Sequence, residues 1–208
     1  MQQKGRENMS VTGIILAGGK NSRLGRNKAL EKIGGLAIIE RVTNRLVPLI
    51  DQLIIVVGSN EHGLPTNLGA SFVTDAYPGG GPLGGIYTGL SVSKTDFNIV
   101  VACDMPFLNT ELLRHLVLLS ASYDAVLPRS APDRFEPLHA VYSGNCTSVI
   151  KKHMDAGERA ISSFLKDINV LYVEESECRQ YDPELLSFLN INRQADLDKA
   201  NKLAQKEF

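Results

Sequence analysis

Three short apolar runs constrain the fold most strongly, because each is continuous and stops at a glycine or just before an aspartate. Val11–Ala17 (VTGIILA) and Leu53–Val57 (LIIVV) stop at glycines, and Asn98–Ala102 (NIVVA) stops before Cys-Asp. Runs of this length without polar alternation are typical of strands that are buried on both faces of a parallel sheet. Segments with helical spacing separate them, so the sequence predicts an α/β fold in three layers, with helices on both faces of a mostly parallel sheet.

Further elements extend this alternation along the chain. A helix through Ile38 is predicted to end at Pro48, because proline cannot continue a helix. A second helix is expected to start at Ile86 after a glycine-rich loop, and Thr110 is expected to cap a third that continues to Ser120. Strands are also predicted at Ser71–Thr74, Ala125–Leu127, Leu138–Tyr142, Asn169–Val173 and Phe188–Ile191, and helices at Asn145–Met154, Glu158–Lys166 and Gln194–Ala204.

Composition sets limits on size, partners and compartment. With 208 residues, of which 43% are apolar, the chain is large enough for one domain with a substantial core. The net charge of −1 argues against binding to nucleic acid or an anionic membrane through overall charge. No apolar run reaches the ~18 residues of a membrane span, and three widely spaced cysteines favour a reducing cytoplasm. We expect residues 1–10 to form a polar, flexible leader and residues 11–208 to form the domain.

A glycine pair and a cluster of cations follow the first strand, in IILAGGKNSRLGRNK (residues 14–28). Glycine lets a ligand approach the backbone, whose N–H groups can face an anion. The cations that could offset a triphosphate are Lys20, Arg23, Arg26 and Lys28. No Gly-Lys here is followed by serine or threonine, so the segment is not a Walker A loop. We favour a nucleotide triphosphate loop; the alternative is a tight turn with a solvated basic face.

Two aspartates stand at the ends of other predicted strands. Asp104 follows the Asn98–Ala102 run, where a lone carboxylate suits Mg²⁺, which takes one or two protein oxygens together with phosphates. The alternative is that Asp104 caps a turn or helix. Asp75 follows Ser71–Thr74 and could contact a ribose or support the metal, or could form an Asx-turn. Ligands of α/β sheets bind at the carboxyl ends of strands, so both positions favour a site.

The glycine-rich segment PGGGPLGG (residues 78–85) contains a literal G-x-G-x-x-G. That motif is typical of dinucleotide binding when it follows the first strand and opens a helix. Here it follows the third predicted strand, and Pro82 stands where the helix should open. We therefore favour a loop whose backbone approaches a bulky ligand ahead of a helix.

Five motifs together resemble those of the molybdenum cofactor guanylyltransferases, the MobA family. LAGGKNSRLGRNKAL (16–30) resembles the family's nucleotidyltransferase loop, PGGGPLGG after Asp75 resembles its G-P-L-x-G loop, and VACDMPF (101–107) resembles its metal motif. EPLHAVY (136–142) and LNINRQADL (189–197) also match. The resemblance implies a single-domain, Rossmann-like fold of the nucleotidyltransferase type, with one reversed strand in a mostly parallel sheet.

The resemblance also implies roles for individual residues. The implied catalytic residues are Lys28, Arg23 and Asp104, with Asp104 holding Mg²⁺ as the cofactor. The implied nucleotide site comprises Leu16, Ala17, Gly18, Gly19, Lys28, Asp75 and Asp104. The implied pterin site comprises Gly81, Pro82, Leu83, Gly84, Asn190 and Asn192. The family can place an asparagine where this chain has Gly58, which leaves Ser59 and Asn60 as alternative polar contacts.

The implied reaction transfers GMP from GTP to the terminal phosphate of molybdenum-molybdopterin and releases pyrophosphate. The second pKa of that phosphate lies near ~6, so the nucleophile needs no general base. LAGG, rather than LAAG, favours guanine over the related molybdopterin cytidylyltransferases. A sugar-phosphate nucleotidyltransferase and a non-catalytic nucleotide-binding module are two further candidate functions. Molybdoenzyme apoproteins or their chaperones are candidate partners, whereas nucleic acid and membranes are not expected. For His139, a hydrogen-bonded structural role and a ligand contact both stay open.

Overall fold

The computed structural model of the chain describes residues 9–18, 27–58 and 63–205, in which strands and helices alternate. The strands are β1 Val11–Leu16, β2 Lys32–Ile33, β3 Leu36–Ala37, β4 Gln52–Val57, β5 Ser71–Thr74, β6 Phe97–Ala102, β7 Ala125–Ala131, β8 Arg134–Phe135, β9 His139–Ser143 and β10 Val170–Val173. The helices are α1 Ile38–Leu46, α2 Gly81–Val92, α3 Thr110–Leu119, α4 Cys146–Asp155, α5 Ile161–Phe164, α6 Glu175–Tyr181 and α7 Gln194–Ala204. Most of the predicted leader, residues 1–8, lies outside the described ranges.

The main sheet has the strand order β10-β7-β9-β6-β1-β4-β5, and the short β8 pairs with β7 at its side. β1 lies between β6 and β4 and is parallel to both, with Ile14 opposite both Ile54 and Val100. β9 is antiparallel to both β6 and β7, whereas β10 is parallel to β7. The mostly parallel sheet is thus confirmed; β9 is the reversed strand in the main order, and the short β8 is also antiparallel to its partner β7. β2 and β3 form a separate two-stranded ribbon.

Two apolar layers cover the faces of this sheet. Successive side chains of a strand point to opposite faces, so the fully buried neighbours Ile14 and Ile15 belong to different clusters. Ile15 packs in the cluster that contains residues of α1, α3 and α7, and Ile14 packs in the cluster that contains residues of α2 and α4. The three-layer architecture follows from this burial on both faces.

The predicted strands and helices are confirmed to within a few residues, with four corrections. Asn109, rather than Thr110, caps α3, because its side chain accepts a hydrogen bond from Leu112 N at 2.9 Å. The strand predicted at Phe188–Ile191 is wrong: a 3₁₀ turn ends at Phe188, and the residues that follow pair with no strand of the described chain. The helix predicted at Glu158–Lys166 begins later, at Ile161, and becomes a 3₁₀ turn after Phe164.

The fourth correction concerns α2, which starts at Gly81 rather than at Ile86. Proline is tolerated in a first helical turn, where its missing N–H would have no partner, and Pro82 occupies that position. The turn before it needs glycine: Gly79 has φ +84°, and a Cβ on Gly80 would lie 2.9 Å from the carbonyl oxygen of Tyr77. The glycine loop and the helix start are therefore one feature.

Candidate active site

A cavity of about 420 Å³ lies at the carboxyl ends of β1, β4 and β6. Its walls come from the turn at Lys28, the first turn of α2, the β8–β9 connection and α5. It contains several residues that were predicted for the site: Leu16, Ala17, Gly18, Lys28, Asp75, Gly81, Pro82, Asp104 and Asn190. Residues far apart in the sequence thus meet at the sheet edge where ligands of α/β folds bind.

Lys28 is held at this edge by a short capped turn. Asn27 precedes the 3₁₀ turn and its side chain accepts a hydrogen bond from Ala29 N at 3.0 Å. The ammonium of Lys28 donates to Oδ1 of Asn192 at 2.7 Å and lies 4.0 Å from Oδ2 of Asp104. The side chains of Lys28 and Asp104 retain 19% and 21% exposure, so both remain reachable from the cavity.

Asp104 follows β6, as its sequence position predicted. Its carbonyl accepts a hydrogen bond from Ile191 N at 2.9 Å, which ties the 189–192 segment to the strand end. Burial raises the pKa of the Asp104 carboxyl above its ordinary value; the charge of Lys28 and a backbone hydrogen bond act in the opposite direction without cancelling that rise. An under-compensated carboxylate in a cavity would gain from a further cation, so this residue fits Mg²⁺.

The site offers few protein ligands for a metal ion. In the described ranges, no group of three or more His, Cys, Asp or Glu side chains is arranged to hold an ion. Mg²⁺ commonly takes one or two carboxylates and completes its shell with substrate phosphates and water. A single carboxylate at Asp104 is therefore consistent with a magnesium ion that arrives with a nucleotide.

Asn192 depends on a residue that the sequence analysis did not single out. Oδ2 of Asp196 accepts hydrogen bonds from Asn192 N at 2.9 Å and from Arg193 N at 2.8 Å. Asp196 is thus the third residue of α7, and its carboxylate satisfies the backbone N–H of the N-cap residue Arg193, as in a capping box; this fixes the backbone from which Asn192 reaches Lys28. Its signal was available, because Asp196 is the aspartate of the LNINRQADL motif.

Asp75 forms the Asx-turn that was one of its two predicted roles. Its Oδ1 accepts hydrogen bonds from Tyr77 N at 2.9 Å and from the hydroxyl of Thr88 at 3.0 Å. Its Oδ2 has no hydrogen-bond partner within the described ranges, and Asp75 lines the cavity. The turn therefore orients the carboxylate and leaves one oxygen for a ligand. No sequence signal pointed to Thr88.

The glycine loop contributes only part of its predicted set. Gly81 and Pro82 line the cavity, and Gly85 lies there as well. Leu83 lies on the face of α2 that packs in the core, where it is fully buried, and it does not line the cavity. Gly84 lies behind Asp75, and a Cβ at this position would come within 3.4 Å of Oδ1 of that aspartate. Gly19, Arg23, Ser59 and Asn60 lie outside the described residues.

Two residues of EPLHAVY take places that the sequence did not indicate. Glu136 lines the cavity although it is only 5% exposed. His139 is fully buried and meets Phe188 edge to face, with ring centroids 5.1 Å apart. Neither ring nitrogen of His139 has a hydrogen-bond partner in the described chain, and burial lowers its pKa to about 3. His139 therefore has a structural place in the core, but without the predicted hydrogen bond among the described residues, and it does not line the cavity.

The helices can also be compared with the dimensions of a bilayer. None in the described ranges is both long enough and apolar enough to cross it.

Comparisons with known proteins agree with this geometry. Residues 13–171 match the family described as "MobA-like NTP transferase domain". The chain is 38% identical to a "Probable molybdenum cofactor guanylyltransferase" of Pelotomaculum thermopropionicum, covering 95% of each chain. It is 35% identical to a "Molybdenum cofactor guanylyltransferase" of Desulfosudis oleivorans, covering 92% of this chain and 94% of that one.

Solved structures give the same result. The "Molybdopterin-guanine dinucleotide biosynthesis protein A" of Archaeoglobus fulgidus superposes with a TM-score of 0.79 at 31% identity, over 94% of this chain and 99% of that one. A "2-C-methyl-D-erythritol 4-phosphate cytidylyltransferase" of Thermus thermophilus shares the fold with a TM-score of 0.74 at 18% identity, over 95% and 100% of the two chains. The chain therefore belongs to the MobA-like nucleotidyltransferase family, among the molybdenum cofactor guanylyltransferases.

Proposed function

We propose that this protein transfers GMP from GTP to the terminal phosphate of molybdenum-molybdopterin, producing the guanine dinucleotide cofactor and pyrophosphate. The observation that carries the proposal is the placement of Lys28 in the cavity, with its ammonium bonded to Asn192 and 4.0 Å from Asp104. The names of the relatives supply the substrate class. Together they support a phosphoryl-transfer site at the strand ends.

In the proposed reaction, an oxygen of the pterin phosphate forms a bond to the α-phosphorus of GTP. The bond from that phosphorus to the bridging oxygen breaks, and the electron pair leaves with pyrophosphate. Such a transfer depends mainly on alignment and charge stabilisation, because the nucleophile is already an anion at neutral pH. Lys28 is oriented to stabilise charge on the phosphates, and Asn192 limits the directions in which its ammonium can point.

The other assigned residues divide between the two substrates. Leu16, Ala17 and Gly18 offer backbone to guanine at the end of β1, and the open oxygen of Asp75 faces the nucleotide. Asn190, Gly81 and Pro82 are proposed to contact the pterin substrate. The roles of Arg23 and Gly19 remain predictions from the sequence.

Asp104 is the residue proposed to hold Mg²⁺, which when bound neutralises phosphate charge. The chain's own contribution is to hold this half-buried carboxylate beside Lys28, where it is reachable from the cavity and could attract a cation. The proposed compartment is the cytoplasm, and the three described cysteines are free thiols, as is usual there. Transfer of the product to molybdoenzyme apoproteins or their chaperones is a proposal that rests on the family alone.

The test compares the thermal stabilisation given by GTP, CTP, ATP and UTP, each with Mg²⁺, followed by a transfer assay with molybdopterin. A ligand that binds only the folded state adds RT ln(1 + [L]/Kd), about 2.7 kcal/mol at a hundredfold excess over Kd. We expect the largest melting-temperature shift with GTP, and pyrophosphate release that requires molybdopterin. Equal shifts with all four nucleotides would contradict the guanine assignment, and a larger shift with CTP would favour a cytidylyltransferase.

A further inference from the structure

Glu136 stands on the cavity wall and has no part in the chemistry described above. It lies between β8 and β9, where its N–H donates to the carbonyl of Pro128 at 2.9 Å and its own carbonyl accepts from His139 N at 3.1 Å. These two bonds fix its backbone. Glu136 is only 5% exposed and lines the cavity. Burying a carboxylate costs free energy unless hydrogen bonds, an opposite charge or a bound ligand compensate it.

The two oxygens of this carboxylate have different surroundings. Oε1 accepts a hydrogen bond from the hydroxyl of Ser130 at 2.6 Å and is 2.9 Å from Nε of Arg134. Oε2 has no hydrogen-bond partner among the described residues. It is also not one of their fully buried polar atoms without a partner, so it is accessible at the surface of the cavity. Glu136 is thus held through one oxygen while the other stays available to a hydrogen-bond donor.

The sheet order separates Glu136 from the nucleotide-facing residues. β9 adjoins β6, and the N–H of Ala102 donates to the carbonyl of Leu138 at 3.1 Å, so Glu136 and Asp104 lie at the same sheet edge. Gly18 and Asp75 follow strands on the other side of β6. The cavity therefore has Asp104 near its middle, the nucleotide residues on one side and Glu136 on the other.

The surroundings of Glu136 suit the edge of a flat ring. Pro137, Leu138 and Ile161 line the cavity near it and provide apolar surface for the ring faces. The carboxylate of Glu136 is paired with Arg134, so the pair carries no net charge to attract a phosphate, whereas Lys28 does attract one. A substrate with a phosphate at one end and hydrogen-bond donors at the other would therefore bind in one orientation, with its phosphate toward Lys28 and its donors toward Glu136.

We infer that Glu136 binds the pyrimidine edge of the pterin acceptor, accepting hydrogen bonds from its 2-amino group or ring N–H. The inference rests on the proposed function, and it adds the residue that selects a 2-amino-4-oxo ring. A charge-assisted hydrogen bond of this kind is stronger than a neutral one and strongly disfavours a ligand that presents a carbonyl in place of the amine. Guanine carries the same donor edge, so the experiment must distinguish the two rings.

The experiment measures binding of two stable probes by calorimetry. They are 6-hydroxymethylpterin monophosphate and the matching lumazine ester, in which a carbonyl replaces the 2-amino group. Both are titrated into the full chain saturated with Mg²⁺ and the α,β-methylene analogue of GTP, which cannot transfer its nucleotide. We expect the wild type to prefer the pterin ester by about tenfold or more, and Glu136→Gln to reduce this preference to about threefold or less.

Matched variants distinguish ring recognition by Glu136 from a purely structural role of its hydrogen bond to Ser130. Ser130→Ala removes one hydrogen bond to Oε1 but keeps the charge, so it should retain the wild-type preference within about threefold. If circular dichroism shows Glu136→Gln to be unfolded, Glu136→Asp replaces it. That variant keeps the charge but places it one methylene farther from the ligand. It should weaken binding of the pterin ester about tenfold and leave binding of the lumazine ester unchanged.

Several outcomes would overturn the inference. They are a wild type that does not discriminate between the esters, a folded Glu136→Gln that still discriminates, and a Ser130→Ala that loses the preference as Glu136→Gln does. Melting-temperature shifts with GTP and with ITP, which lacks the 2-amino group, test the guanine alternative. If the ratio of the GTP shift to the ITP shift differs between Glu136→Gln and the wild type, Glu136 contacts the nucleotide and the inference is wrong. Wild-type transfer to molybdopterin without ester discrimination would contradict this inference alone, whereas no transfer would contradict the proposed function.

Discussion

At the scale of single residues, the site is organised before substrate arrives. The ammonium of Lys28 is held by the side-chain oxygen of Asn192, and the carboxylate of Asp104 lies 4.0 Å away. Groups that are already oriented toward developing charge need no reorganisation during the reaction, which is why such placement accelerates it. The two residues can be tested separately, because different contacts hold their backbones: Asn27 caps the turn of Lys28, and Ile191 N bonds to the carbonyl of Asp104.

Replacing Lys28 with alanine should lower the rate of guanylyl transfer by ~10²-fold or more, by analogy with the loss of one oxyanion donor. Folding should change little, because Lys28 is partly exposed and belongs to no apolar cluster. Pyrophosphate release measures the rate, and circular dichroism checks the fold. Lys32→Ala removes an exposed cation nearby and serves as the matched control. Near-wild-type turnover of Lys28→Ala would make Lys28 a surface lysine.

Asp104→Asn keeps the shape of the side chain but removes the charge that attracts Mg²⁺. We expect transfer to fall by ~10²-fold or more at ordinary Mg²⁺ concentrations, with the fold preserved. Transfer rates over a Mg²⁺ titration measure the effect, and Asp198→Asn on the exposed face of α7 is the control. Full activity of Asp104→Asn would mean that the residue is a structural cap and that the metal binds elsewhere.

At the scale of elements, the start of α7 supports the site. Asp196 accepts two backbone hydrogen bonds there, and the same segment is tied to Asp104 through Ile191 N. The helix therefore does more than cover the sheet, because its first turn determines where Asn192 meets Lys28. α2 has a comparable role on the opposite side, where Thr88 orients Asp75.

Asp196→Ala should destabilise the protein by about 1 kcal/mol, the usual effect of losing a helix cap. Because Asn192 would lose its backbone anchor, transfer should also fall several-fold, by more than the stability change explains. Urea unfolding and the transfer assay measure the two effects. Asp198→Ala, on the same helix, controls for charge, and Asp196→Asn should restore most of both properties. A loss of stability without any loss of rate would show that the cap and the site are independent.

At the scale of the whole molecule, the buried His139 links stability to pH. Burial lowers its pKa to about 3, whereas an unfolded histidine titrates near ~6.5. Between these values the unfolded chain binds a proton that the folded chain does not, so stability falls as the pH falls below the unfolded pKa. The loss continues until the folded pKa is reached.

His139→Leu should remove this dependence. Relative to the variant, the wild type should lose up to ~1.4 kcal/mol of unfolding free energy per pH unit below pH 6.5. Near pH 8 the two should differ by less than about 1.5 kcal/mol, because leucine has a similar volume and brings no unpaired nitrogen. Urea titrations from pH 5 to pH 8 measure the difference. Parallel pH profiles for the two proteins would show that the pKa of His139 is the same in the folded and unfolded chains, which would contradict the lowered pKa.

Much of the architecture was determined by the sequence alone. Continuous apolar runs predict buried parallel strands wherever they occur, because no other element buries both faces in so few residues. The carboxyl ends of parallel strands share one sheet edge, so Gly18 after Val11–Ala17, Asp75 after Ser71–Thr74 and Asp104 shortly after Asn98–Ala102 were expected there from position alone. The meeting of all three in one cavity follows from the parallel order of β1, β4, β5 and β6.

Only the tertiary structure decided which distant side chains meet. Phe188–Ile191 has the composition of a strand, yet it forms none, because the backbone of Ile191 bonds to the end of β6 and Phe188 packs on His139. Asp196 and Glu136 stand in motifs that the sequence shows, but their roles come from contacts that form only when α7 and the β8–β9 connection pack at the sheet edge. Local pattern reports propensity and burial, whereas hydrogen bonds between distant segments depend on three-dimensional packing that no short window of sequence contains.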